Sequence, residues 1–484
     1  MGEGSTTIFA FDDQSIPARL GLVTTMVRPD KHPDNPVLPR GPEGAPDEHR
    51  AQLYGTVLRE NGRFRMWYSA LDHEYMIRLA YTESDDGVSW ERPELGLVEY
   101  RGSRANNLVD VAQPGIYPCV LPEADEPDPN QRYKMVYELV SKDIPWGKMP
   151  RPYGITLFAT SPDGLRWTQV GDQHMLPRAI EQASLYKIGN LYHVSGQGGN
   201  PLPVGGRRIG RAMSTWQSAR FDRWPPETTL SMFTNGPPES GLELRLQFHM
   251  GVAVWNRGNV CIGVHGRWIE PGHPEEPLRC DLGLAISNDG LHFREVQRHW
   301  NFIERDQEAA WDRDVQGYPA SGVGERHVLY QSQSFVNHGE QTMFWYSANS
   351  RRVSADQTAF GNTGLATLRR DGFGYLGVRP DDESGTFLTA LFSTRTPGPL
   401  TANLSDDSSE HPLRLELTDE GGLDPLPGYA LADCVPLVRP GLAEPVRWAE
   451  RSAPPTGRSF RIRGRLTGPA RLYALYLDCE VGGT

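Results

Sequence analysis

Cysteine, long apolar runs and helical periodicity are all scarce in this chain of 484 residues. It has only five cysteines and no Cys-x-x-Cys pair, which excludes a zinc knuckle and a redox dithiol. The cysteines are scattered: Cys119, Cys261, Cys280, Cys434 and Cys479. No apolar run reaches the roughly 18 residues of a transmembrane helix, and no segment of useful length repeats with the helical period. The sequence therefore predicts neither a membrane-spanning nor a helical protein.

Other absences bear on partners and location. The formal net charge is −12, which argues against nucleic acid and against an anionic membrane surface as partner. The first residues lack a basic segment followed by an apolar one, so we expect a cytoplasmic protein. No His-x-x-x-His spacing occurs, and the Gly-rich stretches 196–199 and 322–324 open no helix. We therefore expect neither a catalytic metal nor another cofactor, and the oligomeric state stays open.

A repeated motif is the most informative feature that is present. Three stretches share the pattern Ser-x-Asp-Gly-x-x-aromatic: Ser84–Trp90, Ser161–Trp167 and Ser287–Phe293. Asp folds its side chain onto nearby amides, and Gly supplies the positive φ of a tight turn. Degenerate copies lie at Ser214–Trp216 and Arg370–Phe373. Asp-Gly turns recur by chance in hairpin-rich proteins, but chance does not favour copies that also share Ser and the aromatic residue.

The spacing of these turns predicts the architecture. Five marks over roughly the first 380 residues indicate about five units of about four strands each, as in a β-propeller. Beyond this region the repeat stops, and alternating runs such as Ser459–Leu466 and Ala470–Leu477 are typical of a β-sandwich. The sequence predicts an all-β protein: a five-bladed β-propeller over residues 1–384, carrying any catalytic site, and a C-terminal β-sandwich over residues 385–484. The sandwich is expected to be structural, with carbohydrate binding as the alternative.

The propeller prediction selects candidate site residues. The innermost strands of the blades begin near the axis at one face, so the residues that open them converge on a funnel. Two carboxylates facing each other across that funnel are what cleavage of a glycosidic bond requires. The candidates at the strand openings are Asp47, Glu48, His49, Tyr117, Glu181, His249, Asp314 and Tyr318.

Each of the weaker candidates has a structural alternative. Asp47 and Glu48 follow a proline in a loop and are expected to be solvated if they have no catalytic role. His249 lies between apolar neighbours and fits a core histidine as well as a funnel residue. Asp314 belongs to an Asp-Arg-Asp triplet that is equally typical of a self-neutralising surface loop.

Several stretches of the chain resemble a known group of enzymes. The resemblance is carried by Tyr54–Val57 with Phe64–Tyr68, by Arg132–Met135, by Arg369–Phe373 and by Pro427–Cys434. Together with the two-domain plan, they resemble the superfamily that contains glycoside hydrolase families 32, 43 and 68, in particular bacterial proteins classed as family-32-like hydrolases. The resemblance covers nearly the whole chain and implies the fold more directly than the reaction.

The resemblance also implies residue roles. Glu181 opens the stretch Glu181–Tyr186, which lies in the frame of the family's third-blade acid, so it is implied to be the general acid. The second-blade frame reads Ile116-Tyr117-Pro118, without the carboxylate that the family has there. The first-blade nucleophile motif is also absent, with Asp47 and Glu48 nearby but out of register.

These patterns lead to three functional hypotheses. The first is a glycoside hydrolase-like enzyme that acts on a glycoside or sugar-like small molecule, with Glu181 as acid and Asp47 or Asp314 as partner. The second is a non-hydrolytic acid–base enzyme, a lyase or cyclase of a biosynthetic pathway, which the incomplete carboxylate set suggests. The third is a non-catalytic carbohydrate-binding propeller. All three assign Glu48, His49, Tyr117, His249 and Tyr318 to the binding of a small molecule or oligosaccharide-like ligand.

Overall fold

β-Strands make up nearly all of the regular structure, as the short apolar runs between turn residues require. The computed structural model describes residues 5–140, 154–199, 203–204, 207–208, 211–233, 246–269, 278–298, 300–305, 326–351, 361–394 and 396–478. Within them the structure has β-strands and one short 3-10 helix, Pro129–Gln131, and no α-helix. The all-β expectation is therefore confirmed for this part of the chain.

Four short strands open the chain: β1 (Ser5–Phe9), β2 (Ala18–Leu20), β3 (Leu22–Met26) and β4 (Asp30–Lys31). A first antiparallel run follows: β5 (Arg50–Glu60), β6 (Arg63–Leu71) and β7 (Ile77–Ser84). The second run is β8 (Gly115–Pro122), β9 (Tyr133–Leu139), β10 (Thr156–Ser161) and β11 (Thr168–Val170). In both runs each strand pairs with the next along the chain, because short loops favour antiparallel neighbours.

Three more runs repeat this arrangement. The third is β12 (Glu181–Ile188), β13 (Leu191–Gly199), the small hairpin β14 (Pro203–Val204) and β15 (Arg207–Arg208), β16 (Arg211–Ser218) and β17 (Thr229–Phe233). The fourth is β18 (Leu246–Asn256), β19 (Cys261–Ile269), β20 (Leu278–Ser287) and β21 (Arg294–Glu295). The fifth is β22 (Arg326–Tyr330), β23 (Phe335–His338), β24 (Gln341–Arg351) and β25 (Gly361–Arg369). Strand β4 adds to β25, so a strand from the N-terminal part of the chain completes the fifth run.

Parallel pairs connect some of the runs. Strand β20 pairs with β22, and β25 pairs with β5, which joins the fourth, fifth and first runs into one 12-stranded sheet. The last described run of the series therefore returns to the first. Because the first and last runs of the repeat pair with each other, the repeat leaves few free sheet edges.

The remaining strands form two further sheets. They are β26 (Gly374–Val378), β27 (Ser384–Leu388), β28 (Phe392–Ser393), β29 (Leu400–Ser405), β30 (Arg414–Thr418), β31 (Gly441–Pro445), β32 (Ser459–Thr467) and β33 (Arg471–Asp478). One sheet has the order β3-β26-β33-β29-β31 with β1 on β33, and the other has β2-β27-β32-β28 with β30 on β32. Apolar side chains of both sheets, among them Leu376, Phe387 and Leu475, belong to one buried cluster. Both ends of the chain therefore contribute to this layer pair.

The Asp-Gly turns have the expected structure. In the first, Asp86 Oδ1 accepts hydrogen bonds from the Val88 and Ser89 amides, both at or below 2.8 Å. Asp163 and Asp289 make the same bonds in the other two copies. The glycines have φ of +78°, +78° and +71°. The three motifs thus fold alike because the same side-chain and backbone requirements recur.

Each turn is also fixed to an aromatic residue of a neighbouring run. The carbonyl oxygen of Gly87 accepts from Trp345 Nε1 at 2.8 Å, that of Gly164 from Trp67 Nε1 at 2.6 Å, and that of Gly290 from Tyr186 Oη at 2.8 Å. These donors are buried away from water. Without the glycine carbonyl each of them would have no hydrogen-bond partner. The repeat therefore links successive runs as well as turning the chain.

The contact between Gly164 and Trp67 leads to a prediction about stability. A Cβ on Gly164 would lie 2.7 Å from Trp67 Cζ2, and the residue has φ +78°. We expect Gly164→Ala to destabilise the fold by about 2–4 kcal/mol, because the left-handed conformation and the overpacking add. Gly62→Ala is the matched control, since Gly62 has φ +87° but no atom within 4 Å of the added Cβ. Unfolding free energies are measured by urea denaturation. Equal losses in the two variants would show that overpacking against Trp67 adds nothing to the cost.

Candidate active site

The first strands of four runs share an irregularity near the end at which they begin. The register shifts lie between Gln52 and Thr56 in β5, Ile116 and Cys119 in β8, Gln182 and Ser184 in β12, and His249 and Val252 in β18. Such bulges bend a strand and re-aim its side chains. Tyr117 and Met250 have φ of +63° and +56° at these positions, a conformation that costs energy for residues other than glycine and concentrates at functional sites.

The bends bring a row of rings together, here called the aromatic row: Tyr117, Tyr54, Tyr330, His249 and Trp268. Successive ring centroids are 4.7, 5.2, 5.3 and 4.8 Å apart. The His249 and Trp268 rings are stacked, with 6° between their planes. The row crosses from the second run through the first and fifth to the fourth. Two predicted site residues, Tyr117 and His249, therefore lie in one cluster.

Glu181 lies beside this row. It is the first residue of β12 and is half-buried. Gln197 Nε2 donates to Glu181 Oε2 at 2.5 Å, and Gln197 Oε1 accepts from the Met250 amide at 2.8 Å, which orients Glu181 toward the fourth run. Burial, then the neighbouring Tyr117 and Glu181, raises the pKa of Tyr54 well above its ordinary value. The carboxylate of Glu181 is thus electrostatically coupled to the centre of the row.

A second carboxyl group, Glu138, lies near Glu181. Glu138 is on β9, only 3% exposed, and accepts a hydrogen bond from the Gly154 amide. Burial first, and then the charge of Glu181, raises its pKa well above the ordinary value. Its Oε2 has no hydrogen-bond partner among the described residues. Burial and the repulsion between two adjacent carboxylates in a low dielectric both favour the protonated form of Glu138.

The register of the second run explains why the sequence did not reveal this residue. Glu138 on β9 is directly opposite Ile116 on β8, the residue before Tyr117. A carboxyl group therefore reaches this level of the run from the adjacent strand. The signal in the sequence was weak. Glu138 is the one acidic residue of the strand Tyr133–Leu139, which is apolar and aromatic apart from Glu138 and Lys134.

Arg211 is a cation beside the aromatic row, and the sequence reasoning missed it. It is the first residue of β16, and its guanidinium carbon is 5.0 Å from the centroid of Trp268. Its positive charge acts on the buried thiol of Cys280, although burial dominates and raises the pKa of Cys280. Glu138, Arg211, Tyr54, Tyr330 and Trp268 thus surround the predicted residues.

The predicted residues of the first run lie in another environment. Asp47 is fully buried, and its Oδ2 accepts from Tyr68 Oη and Arg92 Nε, both at 2.8 Å. The solvated-loop alternative is therefore wrong for Asp47. Glu48 accepts from the Gly44 amide at 2.6 Å and pairs with His73. Burial alone would raise the pKa of Glu48, but the Gly44 amide and His73 outweigh it and lower that pKa to about 2.

His49 and the fifth-run candidates complete the set. His49 is 4% exposed and its ring is 4.9 Å from that of Tyr75. Burial first, then the charges of Arg50 and Arg40, lowers the pKa of His49 to about 4, so the imidazole is neutral at pH 7. Asp314 and Tyr318 lie outside the described residues. Catalytic or binding roles for all of the predicted residues stay predictions.

Metal and membrane features are easily stated. Among the described residues no group of three or more His, Cys, Asp and Glu side chains is arranged to hold a metal ion. The described cysteines, Cys119, Cys261, Cys280 and Cys434, are buried free thiols. No helix in the described part of the chain has the length and apolarity needed to span a bilayer.

The state of Glu138 makes a pH prediction. A carboxyl group whose pKa is raised by folding binds more protons in the folded than in the unfolded chain, so stability falls as pH rises above the unfolded pKa. Glu138→Gln removes this dependence. We expect the variant to unfold at higher urea concentration than the wild type at pH 8 and to differ little at pH 4. Asp125→Asn, which changes an exposed carboxylate on the loop between β8 and β9, is the comparison, and a constant difference across pH would contradict the raised pKa of Glu138.

Comparisons with known proteins fit this geometry. No family model matches the chain, and no curated protein matches it in sequence. Solved structures that resemble it include one from work on the GH130 family of mannoside phosphorylases, which contains glycoside hydrolases that target β-1,2 mannosidic linkages in Candida mannan. It is 12% identical, with a TM-score of 0.45, over 72% of this chain and 97% of that one.

Two others belong to further families. A thermostable family-43 glycoside hydrolase is 13% identical, with a TM-score of 0.42, over 72% of this chain and 97% of its own. The catalytic domain of the Coprinopsis cinerea GH62 α-L-arabinofuranosidase is 14% identical, with a TM-score of 0.42, over 71% and 97%. The three solved structures come from work on glycoside hydrolase families 130, 43 and 62, and each is 14% identical to this chain or less.

Proposed function

We propose that the five antiparallel runs are the blades of a β-propeller and that the last two sheets form a β-sandwich. The order of pairing supports this, since β4 completes the fifth run and β25 pairs back onto β5. The boundary at residue 384 stays a prediction. The pairing of β1 with β33 and of β3 with β26 supports assigning the first strands of the chain to the sandwich as well.

We propose that the protein cleaves a glycosidic or similar bond by carboxylate acid–base catalysis at the axial end of β12. The observation that carries this proposal is the coupled pair Glu138 and Glu181, with Glu138 buried and Glu181 accessible. Burial and a neighbouring carboxylate raise the pKa of a carboxyl group, which favours its acid form. This is the property a glycosidase acid requires when it protonates a leaving oxygen.

The two members of the pair have different roles in this proposal. Glu181 is the member that a ligand can contact, so it delivers the proton. Glu138 is 3% exposed and does not contact a ligand, so it acts through Glu181 as a positioning residue. Gln197 Nε2 donates to Glu181 Oε2, which orients the carboxyl group of Glu181.

The remaining roles follow from the strand openings. Tyr117 and His249 of the aromatic row are proposed to contact the substrate, and Asp314 is proposed as the second carboxylate across the axis. Asp47 is the less suited partner, because its carboxylate is fully buried and its Oδ2 already accepts from Tyr68 and Arg92. Glu48, His49 and Tyr318 are proposed to bind the outer part of the substrate. We further propose a cytoplasmic enzyme without a cofactor.

The burial of Asp47 also favours a second candidate function. A lyase or cyclase needs a proton donor and acceptor but no nucleophile from the first run. The Glu138–Glu181 pair is sufficient for such non-hydrolytic acid–base chemistry.

A panel of aryl glycosides and short oligosaccharides tests the proposal. We expect turnover of at least one member, with release of a reducing sugar if the reaction is hydrolysis and of an unsaturated or cyclised product if it is not. Crystals soaked with the turned-over compound should show it beside Glu181. Density for the sugar only on the sheets of the proposed sandwich would contradict the assignment of the site.

A further inference from the structure

Arg211 is placed to do more than pack against a ring. Its guanidinium covers one face of Trp268, with 5.0 Å from the guanidinium carbon to the ring centroid, and His249 stacks on the same indole at 4.8 Å. This contact fixes the plane of the guanidinium while its N–H edges stay outside the stack. A guanidinium held in this way is pre-organised to bind a planar or tetrahedral oxyanion with two N–H groups.

The charge of Arg211 is not neutralised within the described residues. No carboxylate there lies within ion-pair distance of it, whereas Arg267 and Arg279 of the adjacent fourth run are 3.3 Å from Glu295 and 3.7 Å from Asp281. Arg211 is half-buried, so its charge is partly removed from water and is still accessible to a ligand. A half-buried cation against an aromatic surface gains more from a bound anion than an exposed one does.

The register places Arg211 close to the proposed acid. Gln197, which binds Glu181, is opposite Met213, and Arg211 is two residues from Met213 along β16. Side chains two residues apart in a strand share a face and are roughly 7 Å apart. Arg211 and Glu181 therefore face the same space between the third and fourth runs. Glu181 is two strand spacings of about 4.8 Å from β16, so the Cα atoms of Arg211 and Glu181 are about 12 Å apart, and their side chains can contact a ligand that spans adjacent sugar rings.

We propose that Arg211 binds the carboxylate of an acidic sugar, so that the substrate of this site is a uronic-acid-containing saccharide or a related anionic sugar. This inference rests on the proposed function, since the sugar part of the ligand comes from it. The positive charge of Arg211 offsets the negative charge of Glu181, which would otherwise repel an anionic ligand. An oxyanion is the shared chemistry, and inorganic phosphate is its other source.

Binding measurements on the full chain test this inference. The probes are glucuronic and galacturonic acid, their uncharged parents glucose and galactose, and inorganic phosphate alone, followed by calorimetry and by the fluorescence of the tryptophans. We expect the acids to bind at least about tenfold more tightly than their parents, and Arg211→Gln to abolish that difference without changing the binding of glucose. Arg211→Lys should restore part of it, because it keeps the charge but not the planar pair of donors.

Arg458→Gln is the matched control, since it removes one exposed positive charge near the start of β32. Equal affinities for acids and parents in the wild type overturn the inference. Binding of phosphate, but not of the acids, that depends on Arg211 also overturns it. Turnover of uncharged glycosides that depends on Glu181 and not on Arg211 overturns the inference and leaves the proposed function in place. Arg211-dependent binding of the acids without any Glu181-dependent turnover contradicts the proposed function alone.

Discussion

Glu181→Gln is expected to lower kcat by about 10²- to 10⁴-fold on the best substrate of the panel, the range typical of a lost general acid. Glutamine keeps the size of the side chain and the hydrogen bond to Gln197, but it has no proton to give the leaving oxygen. The loss should depend on the leaving group. Dinitrophenolate leaves without protonation. We therefore expect the variant to lose much less activity on a dinitrophenyl glycoside than on a methylphenyl glycoside.

Two comparisons make the result interpretable. Glu340→Gln changes an exposed carboxylate in the hairpin between β23 and β24 and should leave kcat within about twofold, as for a surface substitution without a role. The urea midpoint of Glu181→Gln should stay near that of the wild type. An equal loss for both leaving groups would assign Glu181 to positioning, and unchanged turnover would remove it from the reaction.

Asp371→Asn is expected to destabilise the protein by about 3–5 kcal/mol, the cost of leaving a buried charge without its partner. Asp371 is fully buried in the degenerate turn copy Arg370–Phe373, and both of its oxygens bind Arg257, which is itself buried. Tyr476 Oη of β33 donates to Asp371 at 2.8 Å, so the pair connects the fourth run with the last sheets. Burial opposes ionisation of Asp371, but Arg257 outweighs it and lowers the pKa of that carboxyl.

Urea unfolding followed by tryptophan fluorescence measures this loss. Because the pKa of Asp371 is lowered by folding, its contribution is present above the ordinary carboxyl pKa and disappears as pH falls through the folded value. The variant should therefore lose more stability at pH 7 than in strong acid. Asp222→Asn is the control, since Asp222 pairs with Arg220 at 2.6 Å on the surface and such exposed pairs contribute less than about 1 kcal/mol.

A paired substitution separates the charge from the packing. Arg257→Met combined with Asp371→Asn removes both charges and keeps at position 371 a residue that tolerates its φ of +56°, and we expect it to recover much of the stability that Asp371→Asn alone loses. Equal costs for Asp371→Asn and Asp222→Asn would show that Arg257 finds other partners and that the pair does not connect the two parts of the structure energetically.

The local chemistry of the fold was predictable from the sequence. Each Ser-x-Asp-Gly motif requires the same turn, because an Asx-type bond and a positive φ depend on residues within a few positions of each other. The strands and their antiparallel pairing follow for the same reason: short loops leave few other arrangements. Glu181 and His249 were predicted as site residues because they lie near the starts of first strands, and their roles stay predictions.

The carboxyl pair was beyond such reasoning. Glu138 and Glu181 are 43 residues apart, on different runs, and their coupling depends on which face of β9 turns toward β12. A strand alternates its faces, so one bulge decides whether a side chain reaches the axis. The same is true of Asp47, whose loop position suggested solvent, whereas the folded chain buries it against Tyr68 and Arg92.

The sequence by itself thus determined the all-β class, the repeated turn and the strand openings, because each depends on interactions between near neighbours in the chain. Only the tertiary structure decided which side chains meet. It placed Glu138 opposite Ile116, Arg211 over Trp268 and Arg257 on Asp371, since long-range packing chooses the partners of buried charges. The scarcity of cysteine and of apolar runs excluded other classes of protein. The contacts of Glu138, Glu181 and the aromatic row are the observations that support the proposed sugar-processing site.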